Sequence, residues 1–122
     1  MTENVYVFDT YALVEILNAN PNYKPYVQTK MIINELIFAE FCYKLLRERV
    51  ENAQEYINEV MPAIVRANAD IIKEAMKWRA ENKTKKLSMT DCISYTLAKR
   101  LGIKFLTGDK EFEHAEHVEF VK

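Results

Sequence analysis

Four acidic residues occupy positions where carboxylates can do chemistry if folding brings them together: Asp9, Glu40, Asp91 and Asp109. Asp9 directly follows the apolar segment 5–8, and Asp109 directly follows the segment 103–108, so each stands where a predicted β-strand has just ended. In an open parallel sheet, the edge formed by the carboxyl ends of the strands is where sites are built. Clustered carboxylates repel one another unless a cation neutralises them, and their oxygens suit hard divalent cations. The four acids therefore predict a divalent metal site.

Strands and helices alternate along the chain, and this alternation determines where the acids can meet. The predicted strands are 5–8, 31–33, 103–107, a weak candidate at 63–65 and a possible edge strand at 117–121; the predicted helices are 10–17, 35 to about 49, 52–60, 69–81 and 88–101. Spacing predicts that Ile72, Met76 and Arg79 or Ala80 face one side of helix 69–81, and that Ile93, Leu97 and Leu101 form an apolar stripe on helix 88–101. The alternation predicts an α/β domain with a parallel sheet, spanning 1–122 as a single unit.

The topology of such a domain should bring the four acids to one edge. A crossover helix runs antiparallel to the strands that it joins, so its N-terminus lies at their C-terminal edge, and Asp91 lies in the first turn of such a helix. Glu40 lies one to two turns into its helix, roughly 8 Å below the edge, which a glutamate side chain can span. Apolar residues flank Glu40 on both sides in sequence, and a charge among them needs a reason.

Each acid could instead have only a local structural role. Asp9 and Asp109 could cap the helices that follow them, which is a common role of aspartate. Asp91 could complete the capping box that the serine three residues earlier begins, and Glu40 could pair with Lys44 four residues later on its helix. Four such coincidences at one edge are less probable than a shared site, so the joint pattern favours the site.

Composition limits the protein's functions. The chain has 122 residues, 49% of them hydrophobic and 29% charged, which fits one folded domain. Its formal net charge is -1, so no overall positive field attracts nucleic acid, and any such binding must come from a local basic cluster. Lys83, Lys85 and Lys86 form such a cluster just before the helix that carries Asp91, although a run of this kind could be only a solvated loop.

Cysteine usage and the N-terminus predict a cytoplasmic protein. Cys42 and Cys92 lie in helical patterns with no C-x-x-C spacing and no nearby histidine, which predicts buried free thiols rather than a disulfide or a zinc site. The N-terminus leads directly into a strand, so no signal peptide is expected, and no apolar run has the length of a membrane span.

The motifs that carry the acids, taken in order, resemble those of the PIN domains, and in particular of the VapC-type toxins of prokaryotic toxin–antitoxin pairs. Segment 7–10 (Val-Phe-Asp-Thr) resembles the opening strand with its first acid and neighbouring hydroxyl. Segment 34–40 resembles the second motif, with the acid at Glu40 and not at Glu35. Segments 87–93 and 105–112 resemble the third and fourth motifs, and the resemblance covers nearly the whole chain.

This resemblance implies an α/β/α sandwich around a mainly parallel sheet of about five strands. It also implies an endoribonuclease that cleaves single-stranded RNA with Mg²⁺ or Mn²⁺, forms a homodimer and binds an antitoxin protein. Asp9 and Asp91 are then the expected direct metal ligands, whereas Glu40 and Asp109 act through water or hold a second ion. Thr10 and Thr107 would supply hydroxyls next to these acids, or could serve only as β-branched and helix-entry residues.

Three other functions remain open at this point. The chain could be a PIN-type RNA-processing nuclease without an antitoxin, or a non-catalytic binding module with the same fold. It could also be a receiver-like phosphoacceptor, which likewise places acids and Mg²⁺ at strand ends. A phosphoacceptor needs an aspartate at a mid-chain strand end, and no aspartate follows segment 63–65 until Asp70.

Overall fold

The computed structural model describes residues 4–122, which form strands and helices in alternation. These are β1 (Val5–Phe8), α1 (Thr10–Leu17), β2 (Lys30–Ile32), α2 (Glu35–Arg47), α3 (Ala53–Val60), α4 (Ala69–Glu81), α5 (Met89–Leu101), β3 (Lys104–Thr107) and β4 (Val118–Phe120). Short 3-10 turns occupy Pro21–Tyr26, Met61–Ala63 and Lys110–Phe112. The helix and strand positions predicted from sequence agree with these bounds to within one or two residues, apart from segment 63–65.

The four strands form one parallel sheet in the order β2-β1-β3-β4. Phe8 at the end of β1 pairs in register with Leu106 in β3, and Thr107 at the end of β3 pairs with Phe120 in β4. Because all strands run the same way, their carboxyl ends lie along one edge. β4 pairs only with β3 in the described part of the chain, so the predicted edge strand is confirmed.

Alternating side chains of the strands enter two separate cores, one on each face of the sheet. Val7 and Phe105 pack with α4 and α5, whereas Phe8 and Leu106 pack with α1, α2 and α3. Successive residues of a strand point to opposite faces, so each strand contributes to both cores. This arrangement is the three-layer α/β/α sandwich that the resemblance to PIN domains implies.

The expectation of about five strands is wrong for the described residues, because the fifth is reduced to one bridge. Ile33 pairs with Ile64 through hydrogen bonds from the Ile33 N–H to the Ala63 carbonyl (3.0 Å) and from the Val65 N–H to the Ile33 carbonyl (2.8 Å). The 3-10 turn that contains Pro62 precedes this bridge directly, and proline has no N–H to donate to a ladder. Only a single residue is therefore left in extended pairing.

Two predicted helix faces are partly wrong. α4 buries Ile71 and Ala75, whereas Ile72 is 39% exposed, so the buried stripe is rotated by one residue from the predicted one. In α5, Ile93 and Leu97 are buried as predicted, but Leu101 at the helix end is 45% exposed. Every residue from 92 to 98 is buried, because α5 lies between the sheet and α4. A helix that is buried all round gives a weak stripe in the sequence.

Other expectations concern the thiols and the membrane. Both cysteines are free, as predicted, but only Cys92 is buried and Cys42 is half-buried. Across residues 4–122, no helix has the length and apolar character required to cross a membrane. The expectation about a signal peptide depends partly on residues 1–3, which lie outside the described residues.

Candidate active site

Asp9 lies between β1 and α1, at the carboxyl edge of the sheet. Its backbone N–H donates to the Leu106 carbonyl (3.0 Å), which continues the sheet pairing by one residue. The Asp9 side chain is only 5% exposed and makes no capping hydrogen bond to α1. Instead, its Oδ2 atom accepts a hydrogen bond of 2.6 Å from the Thr107 hydroxyl. The alternative in which the Asp9 side chain caps a helix is therefore wrong.

Asp91 interacts with Asp9 from the first turn of α5. The Ser88 hydroxyl accepts a hydrogen bond of 3.0 Å from the Asp91 N–H, so the predicted cap of α5 is present. Burial, the charge of Asp9 and a hydrogen bond to Asp9 together raise the pKa of Asp91 to about 8, and burial is the largest of these causes. Burial also raises the pKa of Asp9, although hydrogen bonds from Thr107 and Asp91 oppose that rise. Without a cation, the pair retains a proton on Asp91 near neutral pH.

Asp109 has both a structural and an electrostatic role. Its Oδ1 atom accepts from the Glu111 N–H (3.0 Å), so it caps the turn Lys110–Phe112 as the capping alternative proposed. Its own N–H donates to the Thr107 hydroxyl oxygen (3.1 Å), and that same hydroxyl donates to Asp9. The charge of Asp109 also contributes to the raised pKa of Asp91. Thr107 thus connects two of the four acids.

Glu40 reaches the site from the surface of α2. It is exposed, and the apolar residues that flank it in sequence do not enclose it, because they are distributed around the helix. Its Oε1 atom accepts a hydrogen bond of 2.7 Å from the Thr10 hydroxyl, and its charge raises the pKa of both Asp9 and Asp91. The alternative pairing with Lys44 is also wrong, because Lys44 pairs with Glu48 at 2.7 Å.

Gly108 is a residue that reasoning from the sequence missed. A Cβ atom at this position would overlap the ring of Tyr11 and lie 2.7 Å from the Val121 carbonyl oxygen. Only glycine therefore allows the backbone to pass between α1 and the end of β4, and this passage leads directly into Asp109. The signal was the glycine itself, since a glycine next to a strand end often marks a close approach of two backbones.

The loop that carries Lys83, Lys85 and Lys86, called the lysine loop below, contacts the segment that follows Asp109. The Lys86 N–H donates to Glu111 Oε1 (2.9 Å), and Lys85 Nζ donates to the Glu111 carbonyl (3.3 Å). Lys83, Lys85 and Lys86 are all exposed, so the loop is solvated as the alternative proposed. The loop is also held next to the segment that follows Asp109 by these two hydrogen bonds.

The acids fit a divalent cation by donor type, although they do not form a closed cage. Among residues 4–122, no three acidic, histidine or cysteine side chains are already arranged as a complete set of metal ligands. Mg²⁺ usually takes one or two carboxylates and keeps several waters, so a closed cage is not required. Asp9 and Asp91 share a position where one positive charge, a proton, is already favoured. A divalent cation would replace that proton.

Comparisons with known proteins agree with this geometry. A sequence model of the PIN domain matches residues 6–118, a range that contains all four acids. The chain belongs to the PIN domain family. A search of curated proteins found no match to this PIN domain.

Solved structures similar to this PIN domain include VapC toxins. It resembles Mycobacterium tuberculosis VapC20, described as a toxin that cleaves the sarcin-ricin loop, with a TM-score of 0.78 and 17% identity over 98% of this chain and 100% of that one. VapBC2 from Rickettsia felis, bound to a promoter DNA fragment, matches with a TM-score of 0.76 and 16% identity over 97% of this chain and 99% of that one. A toxin–antitoxin complex from Klebsiella pneumoniae matches with a TM-score of 0.76 and 18% identity over 93% of this chain and 95% of that one. At these identities the likeness establishes the shared fold.

Proposed function

We propose that this PIN domain is a metal-dependent endoribonuclease that hydrolyses single-stranded RNA and acts as the toxin of a toxin–antitoxin pair. The observation that carries the proposal is the pair formed by buried Asp9 and half-buried Asp91, next to Asp109 and Glu40 at the carboxyl edge of the sheet. Buried carboxylates with strongly raised pKa values are found mainly at functional sites. Family membership and the likeness to VapC structures support the same function.

Asp9 and Asp91 are the residues proposed to hold Mg²⁺ or Mn²⁺. A bound divalent ion supplies Lewis-acid stabilisation of the phosphate and a bound water of lowered pKa. Thr107 fixes the Asp9 carboxylate through its 2.6 Å hydrogen bond, so that ligand is oriented in advance. The Ser88 cap fixes the first turn of α5, from which Asp91 projects.

Glu40 and Asp109 are proposed to act on the attacking water or to hold a second ion. Glu40 is exposed, so solvent can carry away a proton that its carboxylate accepts. The Thr10 hydroxyl orients Glu40 by its 2.7 Å hydrogen bond, and Thr107 places the backbone of Asp109. The two threonines therefore position acids rather than contact the reacting phosphate.

The lysine loop is proposed to hold phosphates of the RNA strand. Lys83, Lys85 and Lys86 are exposed, and Glu111 ties their loop beside Asp109. Lysine binds phosphate as a point charge, and each such contact contributes to the salt dependence of RNA binding. This local cluster compensates for a net charge of -1 over the whole chain.

The partners proposed are a second copy of the chain and an antitoxin, in the cytoplasm where the RNA substrate is found. Exposed apolar side chains such as Tyr43 and Leu46 on α2 offer surface for protein contacts. The antitoxin would present a cation to the acids, and arginine suits carboxylates through its two-pronged geometry. The VapBC2 structure and the Klebsiella toxin–antitoxin complex support an antitoxin partner by similarity of fold.

Cleavage of single-stranded RNA with and without Mn²⁺ tests this function. Wild type should cut with Mg²⁺ or Mn²⁺ and lose activity in EDTA, and Asp9→Asn and Asp91→Asn should lose nearly all activity while staying folded. Asp70→Asn is the matched control, because Asp70 lies in the first turn of α4 as Asp91 does in α5, but is exposed and remote from the acids. Full activity in Asp91→Asn would refute the proposed site.

Co-expression with the adjacent gene separates the toxin from a plain nuclease. A toxin should slow growth when it is overproduced and should form a complex with a small neighbouring protein that relieves the effect. RNA cleavage without growth inhibition and without such a complex would support a PIN-type RNA-processing nuclease. Absence of cleavage under all metal conditions would support a non-catalytic binding module.

A further inference from the structure

Asn34 makes more hydrogen bonds than its helix requires. It is fully buried at the N-cap of α2, where its Oδ1 atom accepts from the backbone N–H groups of Leu36 (3.0 Å) and Ile37 (2.8 Å). Serine, threonine or aspartate would serve that cap equally well. The Asn34 amide also has a donor, and its Nδ2 atom donates to the Ser94 hydroxyl at 2.9 Å. This second bond does not contribute to capping.

The Asn34–Ser94 hydrogen bond joins α2, which carries Glu40, to α5, which carries Asp91. Ser94 is fully buried in α5, one turn after Asp91, and Asn34 begins the helix that carries Glu40. Burying two polar groups costs free energy unless they satisfy each other, and an apolar pair of similar size would pack here without that cost. Buried polar pairs are best known for fixing the register between elements.

We propose that the Asn34–Ser94 hydrogen bond is a positioning link that holds α5, and with it the proposed metal ligand Asp91, at a fixed distance from Glu40 on α2, so that both acids act on one bound ion and the affinity for the metal depends on this link. This inference rests on the proposed function and adds two residues that contact neither metal nor RNA. The sheet and Thr10 hold Asp9 close to Glu40, whereas among the described residues the Asn34–Ser94 hydrogen bond is the side-chain hydrogen bond that joins α5 to the start of α2. A shift of α5 relative to α2 would therefore separate Asp91 from Glu40 directly.

The test is Mn²⁺ affinity by titration calorimetry, with circular dichroism as the check on folding. Ser94→Ala removes the link and keeps the cap of α2. Thr96→Val is the matched control, because Thr96 is also fully buried in α5, but its hydroxyl has no hydrogen-bond partner among the described residues. We expect Ser94→Ala to weaken Mn²⁺ binding about tenfold, as loss of a residue that supports a metal ligand typically does, and Thr96→Val to leave it unchanged.

A second variant keeps the test decisive if Ser94→Ala does not fold. Asn34→Ser retains a capping oxygen but is too short to reach Ser94, so it should weaken Mn²⁺ binding as much as Ser94→Ala. The double variant should equal either single one, because both remove the same bond. If wild type binds Mn²⁺ but Ser94→Ala and Asn34→Ser bind it as well as Thr96→Val does, the Asn34–Ser94 hydrogen bond is only structural and the inference is overturned. If wild type binds no Mn²⁺, the proposed function fails and this inference fails with it.

Discussion

The raised pKa of Asp91 makes the stability of the metal-free protein fall as pH rises, and Asp91→Asn should remove this contribution. Asp91 has an ordinary pKa of 3.8, and in the folded protein burial and the neighbouring charges raise it to about 8. Asparagine has no proton to lose and can still donate a hydrogen bond to Asp9. The variant therefore keeps the neutral, donating form of the side chain at every pH.

The sign and size of the effect follow from linkage. Above pH 3.8 the unfolded chain loses the Asp91 proton, whereas the folded protein keeps it until the pH nears 8. Folded protein then binds more protons than unfolded protein, so the free energy of unfolding falls as pH rises through this window. One proton gives a slope of about 1.4 kcal/mol per pH unit, so wild type should lose about 3 kcal/mol between pH 5 and pH 7. Asp91→Asn should lack this contribution.

Urea unfolding at pH 5, 6 and 7 in EDTA measures the difference. Wild type and Asp70→Asn should lose stability together as pH rises, and Asp91→Asn should become the most stable of the three at pH 7. Groups elsewhere, such as Glu48 with its pKa lowered by Lys44 and Arg47, are present in all three proteins and cancel in the comparison. If the free energy of unfolding falls equally with pH in wild type and Asp91→Asn, the Asp9–Asp91 pair does not retain a proton on Asp91.

Three further predictions concern the same edge of the sheet. Thr107→Val removes the hydroxyl between Asp9 and Asp109 and should cost about 1–3 kcal/mol in urea unfolding, because it leaves buried polar groups unpaired. Gly108→Ala should also cost about 1–3 kcal/mol, because the added Cβ would overlap the Tyr11 ring. Gly102→Ala should cost only about 1 kcal/mol, because that position has open space and only its left-handed backbone (φ 69°) opposes the change. Thermal unfolding of the two variants compares these costs. Mn²⁺ binding at pH 6 should be about tenfold weaker than at pH 7, since the ion displaces a proton; calorimetry in two buffers measures that proton.

The sequence predicts the elements well because local and tertiary preferences agree in most of them. α1 begins directly after Asp9, and α5 has a capping serine at one end and a left-handed Gly102 at the other, as the spacing predicts. The strand ends place Asp9 and Asp109 at one edge because parallel topology leaves few alternatives. Three of the four acids are thus fixed by features within a few residues of each.

The errors occur where the answer depends on distant parts of the chain. The apolar neighbours of Glu40 in sequence do not reveal that its side chain is exposed, because exposure depends on how α2 is rotated against the sheet. The rotation of α4 that buries Ile71 rather than Ile72 is likewise set by its packing on α5. The Asn34–Ser94 bond joins residues 60 positions apart, and a lone asparagine before a helix predicts only a cap.

The site combines acids from separate elements, and neighbouring hydroxyls hold three of them. Thr107 bonds the Asp9 side chain and the Asp109 backbone, and Thr10 bonds Glu40. These bonds hold negative groups in a place where mutual repulsion and burial oppose them, so folding alone gives no reason for such an arrangement. The shared proton offsets part of that cost in the metal-free protein. A divalent cation, or a cationic side chain of a protein partner, would offset more of this electrostatic cost at the same position. Metal and partner should therefore compete for one negatively charged site.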